Sequence, residues 1–352
     1  MSAQSPQGAA RSSPGAPSSA AVLSAPADSP SADTPSSRTA PSSPNRYLPG
    51  AAEAPRRYLF PTTDPTRPSL KEEFEEATSV LRERRPEVVR EYAVPRDEYR
   101  DWTLQGLPDG LVYKSYLAGV KEPRNASVFN YDSQQGWIWD IAIGARVGIV
   151  RFGTDDPVRP EGFQLDIEGA AMPRLDLEQE RDLISVDFRA GVPLTYGIGP
   201  WSTKLAFYHI SSHVGDEFLL RNPGLNRLNY TRDVIVLGQS YYLTPDVRIY
   251  GEAGVATYVD VSEPWEFQFG LDYSPLVESG VRGSPFFAVN TALRQEVGFG
   301  GDVVVQAGWQ WRPTASGKLF RAGVQYFNGK SDQFSFYDEN ENKVGLGLWY
   351  DY

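Results

Sequence analysis

The chain contains no cysteine and only two histidines and two methionines. Without thiols there is no disulfide framework, zinc ribbon, iron–sulfur site or cysteine nucleophile. Two histidines exclude a histidine-rich metal centre. Positive charge is also scarce: 34 Lys and Arg face 45 Asp and Glu, a formal net charge of −11. Binding to a phosphate backbone needs clustered cations, so a nucleic-acid partner is excluded as well. No run approaches the roughly 20 apolar residues of a membrane-spanning helix. The opening MSAQSPQGAARSSPGAP lacks the apolar stretch of an export signal, and Val22-Leu23 is too short to supply one.

What is present is unevenly placed. Ser, Pro and Ala make up 32 of residues 1–50, which hold no Phe or Trp and a single Tyr, Tyr47. Such a stretch buries too little apolar surface to offset its ordering entropy, so residues 1–57 are expected to be a disordered tail. Residues 58–109 read as a linker carrying one short amphipathic helix. Its signals are the capping box Ser69-Leu-Lys-Glu72, the stripe Phe74, Ala77, Val80 and Leu81, and the stop at Pro86. From residue 110 to 352 the chain is rich in aromatics and glycine and reads as one β domain.

In that domain the period is two. Val303, Val305, Ala307, Trp309 and Trp311 alternate with Val304, Gln306, Gly308, Gln310 and Arg312. Phe320, Ala322, Val324 and Tyr326 alternate with Arg321, Gly323 and Gln325, and the same holds for 287–294 and 247–255. The pattern defines about twelve strands: 111–119, 136–152, 162–176, 182–198, 201–214, 230–243, 246–259, 265–276, 285–296, 301–313, 318–328 and 341–352. Thr244-Pro245-Asp246 and 312–318 read as tight turns, whereas 215–229 and 329–340 are longer and polar.

Alternation alone fits a soluble barrel with an apolar interior or a membrane barrel with an apolar exterior. Three features favour the membrane version. One face is rich in Arg, Gln, Glu, Asn and Gly. Trp and Tyr gather near strand ends. Short and long connections alternate along an even number of strands. The last strand, Val344, Leu346, Leu348, Tyr350 and Tyr352, also ends on an aromatic, which resembles the signal by which the barrel-assembly machinery takes up outer-membrane barrels. The expected fold is therefore all-β, a closed antiparallel transmembrane barrel of about twelve strands, with a disordered tail and a short periplasmic helix. Trp309, Val324 and Val289 should face outward. An exposed apolar band would aggregate in cytoplasm, so a bacterial outer-membrane location is expected, with membrane lipid or lipopolysaccharide as partner.

The segments Leu107-Pro-Asp-Gly-Leu-Val-Tyr-Lys-Ser-Tyr-Leu-Ala-Gly-Val-Lys-Glu-Pro-Arg124, His209-Ile-Ser-Ser-His-Val-Gly-Asp-Glu217 and Tyr326-Phe-Asn-Gly-Lys-Ser331 resemble an uncharacterised bacterial family, domain of unknown function 1207, over about residues 100–352. The resemblance implies an outer-membrane-type barrel and no known activity.

Both histidines lie in Phe207-Tyr-His-Ile-Ser-Ser-His213. Residues two apart on a strand share a face, so Leu205, Phe207, His209, Ser211 and His213 should face lipid while Lys204 and Ser212 face the lumen. With both termini periplasmic, this fifth strand runs outward and places His209 and Ser211 near the outer-leaflet headgroups. His-x-Ser on such a strand resembles outer-membrane phospholipase A and, more loosely, the lipid A 3-O-deacylases. In the phospholipase the strand is followed after its loop by Asn and a run like Asn226-Arg-Leu-Asn-Tyr-Thr-Arg232 here. The resemblance implies His209 as base, Ser211 as nucleophile and Asn226 as orienting amide. The residues after the serine, Ser212-His213, differ from the Asn-Gly of that family. Asp233 is an alternative orienting acid, expected opposite Ser211 in a hairpin centred near residue 222.

Three functional classes follow: lipid ester hydrolase, passive pore, and structural barrel. A non-catalytic barrel is the leading expectation and the hydrolase its alternative. The hydrolase requires His209 and Ser211 to meet. The pore requires an open lumen lined by Arg248, Glu252, Arg294 and Arg321. The structural class requires a filled lumen. No cofactor is expected; Asp216 and Glu217 are the weak candidates for Ca²⁺.

Overall fold

The computed structural model describes residues 102–352 apart from 226, 277–279 and 314–315. The tail 1–57, the capping-box helix and the linker up to 101 lie outside the described residues.

The described strands are β1 (Thr103–Gly106), β2 (Asn125–Asp132), β3 (Gly136–Gly153), β4 (Gly162–Asp176), β5 (Asp182–Ile198), β6 (Trp201–Val214), β7 (Tyr230–Thr244), β8 (Val247–Asp260), β9 (Trp265–Tyr273), β10 (Ser284–Arg294), β11 (Gly300–Trp311), β12 (Leu319–Lys330) and β13 (Asn340–Asp351). A short helix, α1 (Asp216–Arg221), follows β6. Each strand from β2 to β13 pairs antiparallel with the next, and β13 pairs back with β2 through registers such as Leu346↔Phe129 and Trp349↔Ala126. The ring is therefore a closed barrel of twelve strands. β2 is short and covers only 136–142 of β3. β1 pairs with the opposite end of β3, from Thr103↔Gly153 to Gly106↔Val150.

The alternation puts opposite chemistry on the two faces. Leu346, Ile143, Leu237 and Val324 point outward and are 68, 63, 55 and 50 % exposed, whereas Arg174, Arg232 and Arg321 point inward and are fully buried. Trp309 is exposed and Val289 half-buried, as an outward position requires. Tyr131, Trp137, Tyr258 and Trp265 form an aromatic belt near one rim, and Trp201, Tyr241, Trp309 and Phe320 form another near the opposite rim. An apolar band between aromatic belts around a polar interior is the arrangement of a transmembrane barrel, and a soluble barrel would invert it.

Strands β2, β4, β6, β8, β10 and β12 end at one rim, here the upper, whose connections include 215–229 and 331–339. The turns at 245–246 and 312–318 lie at the lower rim, but so does the ten-residue connection 274–283, and the upper rim also carries short turns at 133–135 and 261–264, so length does not sort cleanly by rim.

One strand differs from the sequence reading. Residues 111–119 are not a wall strand; β2, at 125–132, takes that place, so the count of twelve stands. Within 111–118, Leu111, Val112, Tyr113, Tyr116, Leu117 and Ala118 are all buried, including consecutive residues whose side chains would point to opposite faces of a strand. This segment has contacts on both sides because it lies inside the barrel.

Candidate functional site

The lumen is built from inward-facing charges that neutralise one another. Arg146 pairs with Asp166 at 2.8 Å, Arg189 with Glu168 at 2.9 Å, Lys204 with Glu252 at 2.6 Å and Arg321 with Asp351 at 2.7 Å. Arg174 reaches Asp140 and Asp332 at 2.6 Å and Glu341 at 2.5 Å, and Lys343 joins Asp332 and Glu341 at 2.6 Å. Buried charges are tolerable only when paired and hydrogen-bonded. Some of these pairs join neighbouring strands, others reach farther, from β6 to β8 and from β4 to β13, and Asp332 brings in a loop.

Two segments occupy the interior. The first lies within 107–124, which starts at the exposed Leu107 and is buried at 111–113, 116–119 and 122–124. Its irregular backbone leaves carbonyls that no sheet partner can satisfy, and wall arginines donate to them. Arg248 donates to the carbonyls of Lys114 at 2.8 Å and Ser115 at 2.7 Å, Arg321 to Leu117 at 3.0 Å, and Arg151 to Asp109 at 2.7 Å and Gly110 at 2.8 Å. The Tyr116 hydroxyl donates to Glu252 at 2.6 Å, and its ring stacks on Tyr250 with centroids 3.8 Å apart. The wall makes room with glycine. A Cβ on Gly238 would sit 2.9 Å from the Tyr113 hydroxyl, and one on Gly197 would sit 2.7 Å from a Val112 methyl. Part of the glycine on the inward face is thus clearance for this plug.

The second segment is the β12–β13 connection. Asp332, Gln333, Phe334, Ser335 and Phe336 turn into the upper end of the lumen and are buried. Phe334 stacks on Tyr230 with centroids 4.8 Å apart, Ser335 bonds Ser212 at 2.7 Å, and Ser185 donates to Gln333 at 2.9 Å. Between these segments and the wall lie cavities of about 40, 60 and 50 Å³, each room for a few waters. Arg248, Glu252, Arg294 and Arg321 do line the lumen, but they are engaged there rather than facing an open channel.

The second cluster of interest is on the outer surface. His209 and Ser211 point outward with Leu205 and Phe207, while Lys204 and Ser212 are buried inward. Across β6–β7, His209 pairs with Asp233 and Ser211 with Thr231. Asp233 therefore stands opposite His209 and not opposite Ser211. The β6–β7 hairpin is centred one residue earlier than the sequence spacing suggested, so the facing residue moves by two. His209 Nδ1 lies 2.6 Å from Asp233 Oδ1, and both side chains are partly exposed. Among the described residues no hydrogen bond joins His209 to Ser211. His213 lies beside the Phe188 ring at 5.9 Å. Asn226 lies outside the described residues. Asp216 and Glu217 are exposed in the first turn of α1, and no group of three potential metal ligands occurs among the described residues.

Sequence reasoning found the outward pair but missed the plug. Its signals were present: both faces of 111–118 are apolar or aromatic, and Pro108, Gly119 and Pro123 punctuate the segment.

Residues 82–352 match the family described as a protein of unknown function, DUF1207. The chain belongs to this family. A search of curated proteins finds no match. Solved structures with a similar outline include a KdgM porin, at 12 % identity and a TM-score of 0.38, covering 64 % of this chain and 99 % of that one. Outer membrane phospholipase A from Escherichia coli shows 8 % identity and a TM-score of 0.45, with 68 % and 93 % covered. A Rhodopseudomonas blastica porin mutant shows 9 % identity and a TM-score of 0.29, with 66 % and 99 % covered. These likenesses concern barrel architecture and transfer no activity. This DUF1207 chain is an outer-membrane-type β-barrel of a family of unknown function.

Proposed function

We propose that this DUF1207 barrel is non-catalytic and closed to passive solute flow, a structural outer-membrane protein whose lumen holds its own chain. The observation that carries this reading is the 107–124 segment, seated in the lumen by arginines that donate to its carbonyls. A twelve-strand barrel is wide enough that size alone does not decide between filled and open, and here chain fills it. The loop-rich upper rim faces the outer leaflet, where lipopolysaccharide is the expected neighbour, and assembly runs through the barrel-assembly machinery acting on the terminal aromatic strand. Planar-bilayer recording tests the reading. The intact protein should give no steady conductance, and the Arg248→Ala/Arg321→Ala double variant should give openings. Steady ohmic conductance of the unmodified protein would overturn it.

The His209–Asp233 pair supports a second reading, a lipid ester hydrolase. An acid on Nδ1 leaves the other imidazole nitrogen free to serve a nucleophile, and Ser211 is the nearest candidate in sequence on that face. Acyl-ester hydrolysis in detergent micelles, with and without Ca²⁺, should fall to background in Ser211→Ala and His209→Ala if this reading holds. Equal rates in all three proteins would remove it.

A further inference from the structure

The plug is continuous with β1, and β1 is attached differently from the strands of the wall. Among the described residues it has one sheet partner, whereas every wall strand has at least two. Its ladder with β3 is four residue pairs long, and the Leu107 amide extends it by one bond to the Ile149 carbonyl at 3.0 Å. It lies at the lower rim with Thr103, Leu104 and Gly106 exposed. The chain turns into the lumen at Gly110, φ 74°, where a Cβ would sit 2.0 Å from the Pro157 carbonyl oxygen in the β3–β4 connection. The plug is therefore entered from the lower rim, and β1 stands at its entrance.

The wall groups that hold the first part of the plug also hold each other. Arg248 pairs with Asp272, Arg321 with Asp351 and with Gln306 at 2.7 Å, and Arg151 with Gln164 at 2.7 Å, in addition to the plug carbonyls they serve. Glu252 has Lys204 at 2.6 Å besides the Tyr116 hydroxyl, and the Tyr250 hydroxyl has Asn290 at 2.9 Å besides the Tyr116 ring. Withdrawal of 107–118 strands none of these charges, which is the costly event in a buried polar contact. Ion pairs from the segment to the wall begin only at its far end, beside β2, with Lys121 to Asp187 at 2.6 Å and Arg124 to Asp351 at 2.8 Å. Exit through the upper rim is blocked by the buried residues 332–336.

We infer that β1 is a latch and 107–118 a releasable plug, which leaves through the lower rim while 119–124 stays on the wall. The inference rests on the closed-barrel reading and adds what controls the closure: a short ladder outside the lumen, reached from the lower rim. Release is a local opening of low-stability structure and leaves the twelve-strand ring intact.

The test exploits a chain without cysteine. Ala118→Cys puts a single thiol at a fully buried position of the plug. Ser185→Cys puts one at a fully buried position of the wall, where Ser185 holds Gln333 of the β12–β13 connection. The full chain, folded in an uncharged detergent, is labelled with a water-soluble maleimide. Gln105→Pro removes an amide that faces β3, as the Leu107 amide does two residues on. It should raise the labelling rate of the Ala118→Cys chain at least ~10-fold and leave that of the Ser185→Cys chain unchanged. Gln105→Gly keeps the amide and loosens the strand less, so it should give a smaller rise, about 3-fold, again at Ala118→Cys alone. If Gln105→Pro does not fold, Gln105→Gly decides. Unchanged labelling of Ala118→Cys, or equal acceleration at both thiols in chains that retain the heat-modifiable mobility of a folded barrel, would overturn the proposal. Bilayer conductance of the unmodified protein reports separately on the closed-barrel reading.

Discussion

Residues 107–124 and 125–132 follow one another in the chain, and both carry aromatic and aliphatic side chains, yet one fills the barrel and the other builds its wall. In β2, Phe129 and Tyr131 are exposed while Val128, Asn130 and Asp132 are buried, a one-sided pattern that suits lipid outside and charge inside. In the plug, Leu111, Val112 and Tyr113 are buried in succession. Their backbones differ as sharply. The amides and carbonyls of β2 are absorbed by β3 and β13, whereas the plug carbonyls depend on arginine side chains. A wall strand therefore needs apolarity on alternate residues. A lumenal segment needs it on adjacent residues, plus donors supplied from elsewhere.

Four tests sharpen or break this contrast. The largest effect is expected from the Arg124→Ala/Arg321→Ala double variant, because these two arginines together serve Asp351 of the wall and the Leu117 carbonyl of the plug. Removing both strands the buried carboxylate, so the double variant should cost about 3–5 kcal/mol in urea unfolding from lipid vesicles. A loss under about 1 kcal/mol would mean that the lumenal pairs do not hold plug to wall. Next is Phe129→Lys, which places a charge on the lipid face of β2. The expected cost is about 2–4 kcal/mol near the bilayer midplane, and a neutral result would argue that β2 does not face lipid.

Gly238→Val tests the clearance that the wall leaves for the plug. Overpacking against Tyr113 should cost about 1–3 kcal/mol, and it should be relieved in a Tyr113→Ala background, because the added methyls then enter vacated space. Additive losses in the double variant would place the strain elsewhere. The smallest effect is expected at the outward pair. His209→Ala and Ser211→Ala should each leave stability within about 0.5 kcal/mol, since both sites lie on the surface. A larger loss would make the His209–Asp233 contact structural and weaken any catalytic reading of it.

Much of this was legible in the chain. Period-two alternation with charge on one face is a property of local sequence, and it yields the strands, their inward and outward faces, the aromatic belts and the outward position of His209 and Ser211. The register of a hairpin depends on how its loop folds, so Asp233 was placed opposite Ser211, whereas α1 and its connection bring it opposite His209. The plug escaped for a related reason. Whether 111–118 forms wall or filling is decided by which surface can satisfy its backbone, and that surface comes from Arg248, Arg321, Tyr250 and Gly238, more than a hundred residues away. Local pattern determined the barrel. Only closure of the ring, by bringing distant arginines and glycines around one short segment, decided that its lumen is filled.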